Sequence, residues 1–109
     1  MASEVLKLAT FRGNAASVQA LLTVASGHTY TVLSITICET GNAAETFKLL
    51  IDDGGGGSDT YIYFDQALAA KATFEHTSKF LMEASAHLSI QTASSSDIYV
   101  CVSYLDQTL

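Results

Sequence analysis

Three histidines, two cysteines and a scatter of acids are the residues whose types could support metal binding, nucleophilic catalysis or proton transfer. His28, His76 and His87 lie in separate segments, without the short spacings that set metal ligands side by side. Cys38 and Cys101 have no activating base at a recognisable spacing, and no serine stands in a G-x-S-x-G elbow. Glu39, Glu45, Glu75 and Glu83 offer carboxylates, but any acidic β protein supplies such pairs. Gly54 to Asp59 fits the G-G-x-G-x-D calcium pattern once, whereas that pattern works by repetition, each ion being shared between successive turns. The loop lacks the Gly-Lys-Ser/Thr of a phosphate cradle, and its aspartates repel phosphate, so it reads as a hairpin tip. The sequence therefore predicts no catalytic, metal-binding or cofactor-binding residue, no cofactor and no enzyme.

Tyr61 and Tyr63 carry a different kind of chemistry. They alternate out of phase with Ile62 and Phe64, which predicts that both face away from the core of a one-sided strand. Exposed tyrosines add contact area at little entropic loss, as a subunit contact or, together with Tyr30, as a glycan-stacking platform. Cross-strand pairing that covers the sheet is the blander alternative.

The elements that must position these side chains are strands. Apolar residues recur with period two from end to end, and no long helical pattern intervenes. Val5 to Phe11 puts Leu6 and Leu8 on one face, as a first edge strand or as an N-terminal arm (residues 1–12) lying on a neighbour. Val18 to Ala25 follows. Tyr30 to Cys38 is rich in β-branched residues and predicts Leu33, Ile35 and Ile37 inward, Ser34 and Thr36 outward. Thr46 to Ile51 sets Phe47, Leu49 and Ile51 in step, and Thr60 to Phe64 sets Ile62 and Phe64. Gln66 to Lys71 is too short for a helix and reads as a crossing between sheets. Ala72 to His76, Ala86 to Thr92, and Ile98 to Tyr104 with Ile98, Val100, Val102 and Tyr104 on one face complete about eight short strands. That is an all-β antiparallel sandwich, jelly-roll or Ig-like, in one domain over 1–109. Cys38 and Cys101 fall inside strands, read best as buried small side chains, and a disulfide between them stays open.

Whole-chain numbers limit the partners. The 109 residues carry 11 acids against Lys7, Arg12, Lys48, Lys71 and Lys79, a net charge of −6. Five scattered cations form no basic stripe, so neither nucleic acid nor an anionic membrane is an expected partner. Only 15% of residues are charged, against about 25% in an ordinary domain, and Ser, Thr, Ala and Tyr carry the surface instead. Such a surface is easy to desolvate against neighbours. The chain has no proline, one of the usual guards of an edge strand, which again calls for partners. The opening residues show no basic-then-apolar signal segment, predicting synthesis in the cytosol with reduced thiols.

Tyr30-Thr31-Val32 leads into Ile35-Thr36-Ile37-Cys38, a small polar turn, an apolar strand from Glu45 to Ile51, a Gly-rich loop and a Tyr/Ile strand. Leu88 to Thr92, a Ser/Ala-rich turn and Val100 to Ser103 close this framework. Over about Tyr30 to Tyr104 it resembles a family of small phage virion proteins with a β-sandwich fold, the capsid decoration or cement proteins. The chain departs from the pattern at Ala25-Ser26-Gly27, where a proline is usual, and at Glu83-Ala84-Ser85, where a Gly-Asp turn is usual. The resemblance implies a structural protein that binds and stabilises an icosahedral head, with the major capsid protein and copies of itself, as a homotrimer, for partners. A neck, tail or fibre-associated protein is the related alternative, and a carbohydrate-binding module the unrelated one. The virion is the implied location, and Val5, Leu6, Leu8, Phe11, Tyr61 and Tyr63 are the candidate interface residues.

Overall fold

A computed structural model describes residues 3–41, 43–52, 59–94 and 97–108. The expected Gly-rich hairpin tip lies outside the described residues except for Asp59, and so do Ser95 and Ser96 of the serine turn.

The described chain forms strands β1 (Ser3–Asn14), β2 (Gln19–Thr23), β3 (His28–Glu39), β4 (Glu45–Asp52), β5 (Asp59–Leu68), β6 (Thr73–His76), β7 (Phe80–Met82), β8 (His87–Thr92) and β9 (Asp97–Thr108). They make a five-stranded sheet in the order β1-β9-β3-β6, with β7 also on β3, and a four-stranded sheet in the order β2-β8-β4-β5. Every pairing is antiparallel. The chain passes to the opposite sheet at each connection except β4–β5 and β6–β7. This interleaving is a jelly roll, and it decides between the two sandwich topologies that the sequence permits. The strand count exceeds expectation because one position is split: β6 and β7 both pair with β3, on either side of Thr77–Lys79.

The inner faces of the two sheets meet in one apolar layer. Ile35 and Ile37 of β3, Phe47 and Leu49 of β4, Leu88 and Ile90 of β8 and Ile98 of β9 are wholly inaccessible, and Val100 and Val102 nearly so. Each such side chain contributes about 1.5–3 kcal/mol through burial. Phe47 lies at the centre of an aromatic group, 5.2 Å from the Phe74 ring and 6.1 Å from that of Tyr63.

Bulges overturn several expectations of side-chain direction. Between β3 and β9 the register slips at Leu33, so Val32 and Ile35 both point inward and Leu33 does not. An extra residue on one strand reverses the parity of everything beyond it. Two further slips lie between β4 and β5: Leu49 faces Tyr63, but Leu50 faces Tyr61, leaving Ile62 as the extra residue. Tyr63 therefore turns into the core while Tyr61 points out. Phe64 and Asp65 together oppose Lys48, and Phe64, expected in step with the core, is 60% exposed. Asp65 takes up the distortion with φ at 53°, a conformation that aspartate tolerates better than most residues.

Two other expectations change. The segment Gln66–Leu68 belongs to β5, so the crossing to the five-stranded sheet is confined to Ala69–Ala72, closed by Ala72 N donating to Ala69 O. Cys38 and Cys101 are not buried in the sandwich. They lie on the outer face of the five-stranded sheet, Cys101 exposed and Cys38 half-buried, both free. Cys101 pairs with Thr36, and Cys38 with Tyr99, so the two thiols are diagonal neighbours and not directly opposed.

Candidate functional site

The outer face of the five-stranded sheet carries four of the exposed large apolar side chains among the described residues, Leu6, Leu8, Leu81 and Tyr99. Even-numbered residues of β1 and odd-numbered residues of β9 point outward, as their pairing requires: Leu6 with Leu105, Leu8 with Ser103, Thr10 with Cys101 and Arg12 with Tyr99. Leu105 continues across β3 through Thr31 to Leu81 of β7. Leu6, Leu8 and Leu81 are 72%, 62% and 58% exposed, and the bulged Leu33 adds to a shallow cleft beside Leu6, Leu8 and Ser103. The central rows of this face hold leucine, serine, threonine and cysteine, with Glu4, Arg12, Glu75 and Asp97 at the margins. Such a face can be desolvated without stripping water from charges.

Of the candidate contact residues, the structure brings Leu6 and Leu8 together on the outer face of β1, whereas Val5, exposed on the same strand, points to the opposite side. Phe11, on the same strand, packs partly against the core. Tyr61 is 46% exposed but belongs to the other sheet, on β5. Tyr63 is half-buried against the core: its hydroxyl is 2.8 Å from His76 Nδ1, and its ring meets Phe74 edge-on at 4.9 Å. Beside Tyr61, the Phe64 ring stands at 86° to it, with Lys48 Nζ 4.8 Å above Phe64 and 2.7 Å from Asp65. A perpendicular pair gives contact area but no flat platform for a sugar ring. Leu33, Leu81 and Leu105 escape a reading of the sequence alone. The apolar residue that breaks alternation at Leu33 is the one local signal of them.

Polar groups cluster at the two ends of the sandwich. At one end Asp106, almost completely buried, accepts from Lys7 Nζ at 2.8 Å and is 2.7 Å from His28 Nδ1. Tyr30 and Tyr104 flank them with rings 4.8 Å apart. The hydrogen bond from His28, then that from Lys7, holds the Asp106 carboxyl below its ordinary range, and the same contact raises Lys7. Burial raises the Tyr104 phenol. At the other end Glu45 accepts from the backbone N–H of Thr46, Ala93 and Ser94 and from Ser94 Oγ, pinning the start of β4 to the chain leaving β8. Glu39 accepts from Gly41 N, and its Oε2 is buried without a hydrogen-bond partner among the described residues.

None of these clusters assembles a nucleophile, its base and an open reaction space. Among the described residues, no group of three His, Cys, Asp or Glu side chains is placed to hold a metal ion. No helix among them is long and apolar enough to cross a membrane.

The sequence matches no family model and no curated protein. Solved structures do share the fold. A chain in the acid-stable capsid of Helicobacter pylori bacteriophage KHP30 superposes with a TM-score of 0.65 at 16% identity, over 96% of this chain and 93% of that one. A chain of the disulfide-linked pili that form Bacillus endospore appendages gives 0.58 at 15%, over 100% and 91%. A chain of infectious bursal disease virus, Gx strain, gives 0.58 at 12%, over 97% of this chain but only 32% of the viral one. At these identities the shared property is the fold, an all-β sandwich of the jelly-roll kind used in viral capsids.

Proposed function

We propose that this chain is a structural virion protein, made in the host cytoplasm, that decorates and stabilises an icosahedral phage head by binding the major capsid protein. The observation that carries this reading is the similarity in both fold and length to a chain of the KHP30 capsid. Nearly all of each chain superposes, so the relation is between two small subunits and not between a subunit and one domain of a large one. The site agrees with it: a broad sheet face whose charges stand at its margins, and no reactive cluster among the described residues.

The outer face of the five-stranded sheet is the surface for the shell. Four strand positions at about 4.8 Å by some twelve residues at about 3.3 Å make a face on the order of 800 Å², the share each partner supplies to a standard interface. A protein that binds the assembled shell better than the loose subunits stabilises the shell by mass action. Repetition over many copies lets modest contacts act together.

Purified protein mixed with undecorated heads should bind to saturation at a symmetry-defined ratio and raise their heat resistance. Leu6→Asp and Leu81→Asp, both at exposed positions, should fold normally and bind far more weakly. Absence of binding to heads in every state of expansion rules out decoration.

The likeness to a pilus subunit favours one second reading, a tail, neck or fibre component. Copy number separates the two, since a head protein follows capsid symmetry and a fibre protein follows fibre length. The homotrimer expected from the sequence rests on the low charge and the unguarded edges, and both are served equally well by other closed assemblies.

A further inference from the structure

We propose that β1 is a self-complementary edge on which a second copy of this chain pairs antiparallel, about a two-fold axis through Leu8. The inference is independent of the virion reading and rests on how differently the sheet edges are guarded.

The sandwich has edges at β1, at β6 and β7, at β2 and at β5. Strand β2 has five residues and a register slip. Strand β5 has two slips and a left-handed Asp65. Strands β6 and β7 have four and three residues. Shortness and bulging are the devices by which proteins keep an edge from templating another strand. Strand β1 has neither. It runs for twelve residues and pairs with β9 from Ser3↔Thr108 to Asn14↔Asp97 without a slip, and up to Arg12, before Gly13 turns to a φ of 130°, its far side is a long, regular row of backbone donors and acceptors. Its one inward-pointing charge, Lys7, would ordinarily guard an edge, but Asp106 already holds it.

The side chains of β1 select the partner and the register. A two-fold axis perpendicular to the sheet joins outer face to outer face, so outward residues oppose outward residues. Centred on Leu8, it sets Glu4 against the partner's Arg12 at both ends, Leu6 against Thr10 and Leu8 against its own counterpart. On the inner side it sets the exposed Val5 against Phe11 and Lys7 against Ala9. Glu4 and Arg12 are both exposed, and among the described residues Arg12 makes no ion pair. Opposite charges directly across a strand pair attract, and like charges repel. The adjacent two-fold register centred on Lys7 opposes two lysines. The one centred on Ala9 sets Arg12 against Leu6 and Glu4 against Asn14, so neither charge finds a partner.

The same geometry argues for two copies instead of three. A closed ring needs two different edges on each subunit to meet, and every edge other than β1 is short or bulged. The two-fold arrangement uses the regular edge twice and merges the Leu6 and Leu8 rows of both copies into one apolar band.

Analytical ultracentrifugation of the full chain, up to about 100 μM, should show a monomer–dimer equilibrium. Because each contact occurs twice, Glu4→Arg or Arg12→Glu turns two attractions into two repulsions and should weaken the dimer about tenfold or more. The double variant Glu4→Arg/Arg12→Glu should restore it towards the original affinity, which also shows that the substitutions leave the fold intact. A monomer throughout, a trimer, a dimer indifferent to both reversals, or a double variant no tighter than the singles would each overturn the proposal.

Discussion

Lys7 Nζ lies 2.8 Å from the Asp106 carboxylate, joining an edge strand to its neighbour across the inner face of the sandwich. With His28 on the other side, the pair ties β1, β9 and β3 at one end of the fold.

Asp106→Asn should lower Tm at neutral pH by a few degrees and remove part of the pH dependence of stability. Asp106 is held below its ordinary value of 3.8, by His28 first and Lys7 second. Its contribution is therefore complete above that value and is lost as pH falls through the lowered one. Lys7 is raised above 10.5, so its share is complete below that value and is lost as pH rises through the raised one. Thermal melts across pH should show the parent and the variant converging in strong acid. A constant difference would contradict the assignment.

Tyr63→Phe should destabilise by about 1 kcal/mol, the net worth of a buried hydrogen bond, because it removes the partner of His76 Nδ1. Tyr61→Phe should change little, since its side chain points outward. Urea midpoints of the two variants measure the consequence of the β5 bulge. Equal effects would mean that the two tyrosines share a face.

Glu45→Gln should cost about 2 kcal/mol. One oxygen of Glu45 accepts three backbone N–H bonds and the other accepts Ser94 Oγ at 2.6 Å, so an amide keeps its oxygen for the three N–H donors only by reversing the Ser94 hydroxyl into an acceptor, and every bond loses the help of the carboxylate charge. Amide exchange at Ala93 and Ser94 should accelerate before that of the strands.

Ser85→Gly should stabilise the fold by about 0.5 kcal/mol. Ser85 has φ at 73°, where a Cβ is strained, and glycine relieves the strain while giving back part of the gain as unfolded-chain entropy. The hydrogen bond from Ser85 N to Val24 O is of backbone origin and survives the change. A small rise in Tm is the expected reading.

Part of the core is legible in local alternation alone. Alternation at Ile98, Val100, Val102 and Tyr104 put all four on the buried face of β9, and Phe47 and Leu49 entered the core as expected. Leu33, Phe64 and Tyr63 depart from alternation for a shared reason. A bulge is a property of two strands in register, and one strand's sequence does not show which residue its neighbour will skip.

The sequence by itself determined that the chain makes strands, that apolar and polar residues alternate on them, and that the surface is sparsely charged, because these follow from side-chain type and a period of two. Only the tertiary structure decided the jelly-roll order, the five-leucine face and the Lys7–Asp106 pair, whose members stand 99 residues apart. Such features depend on which distant strands lie side by side. That choice is made by burial and backbone pairing over the whole chain, and no local pattern encodes it.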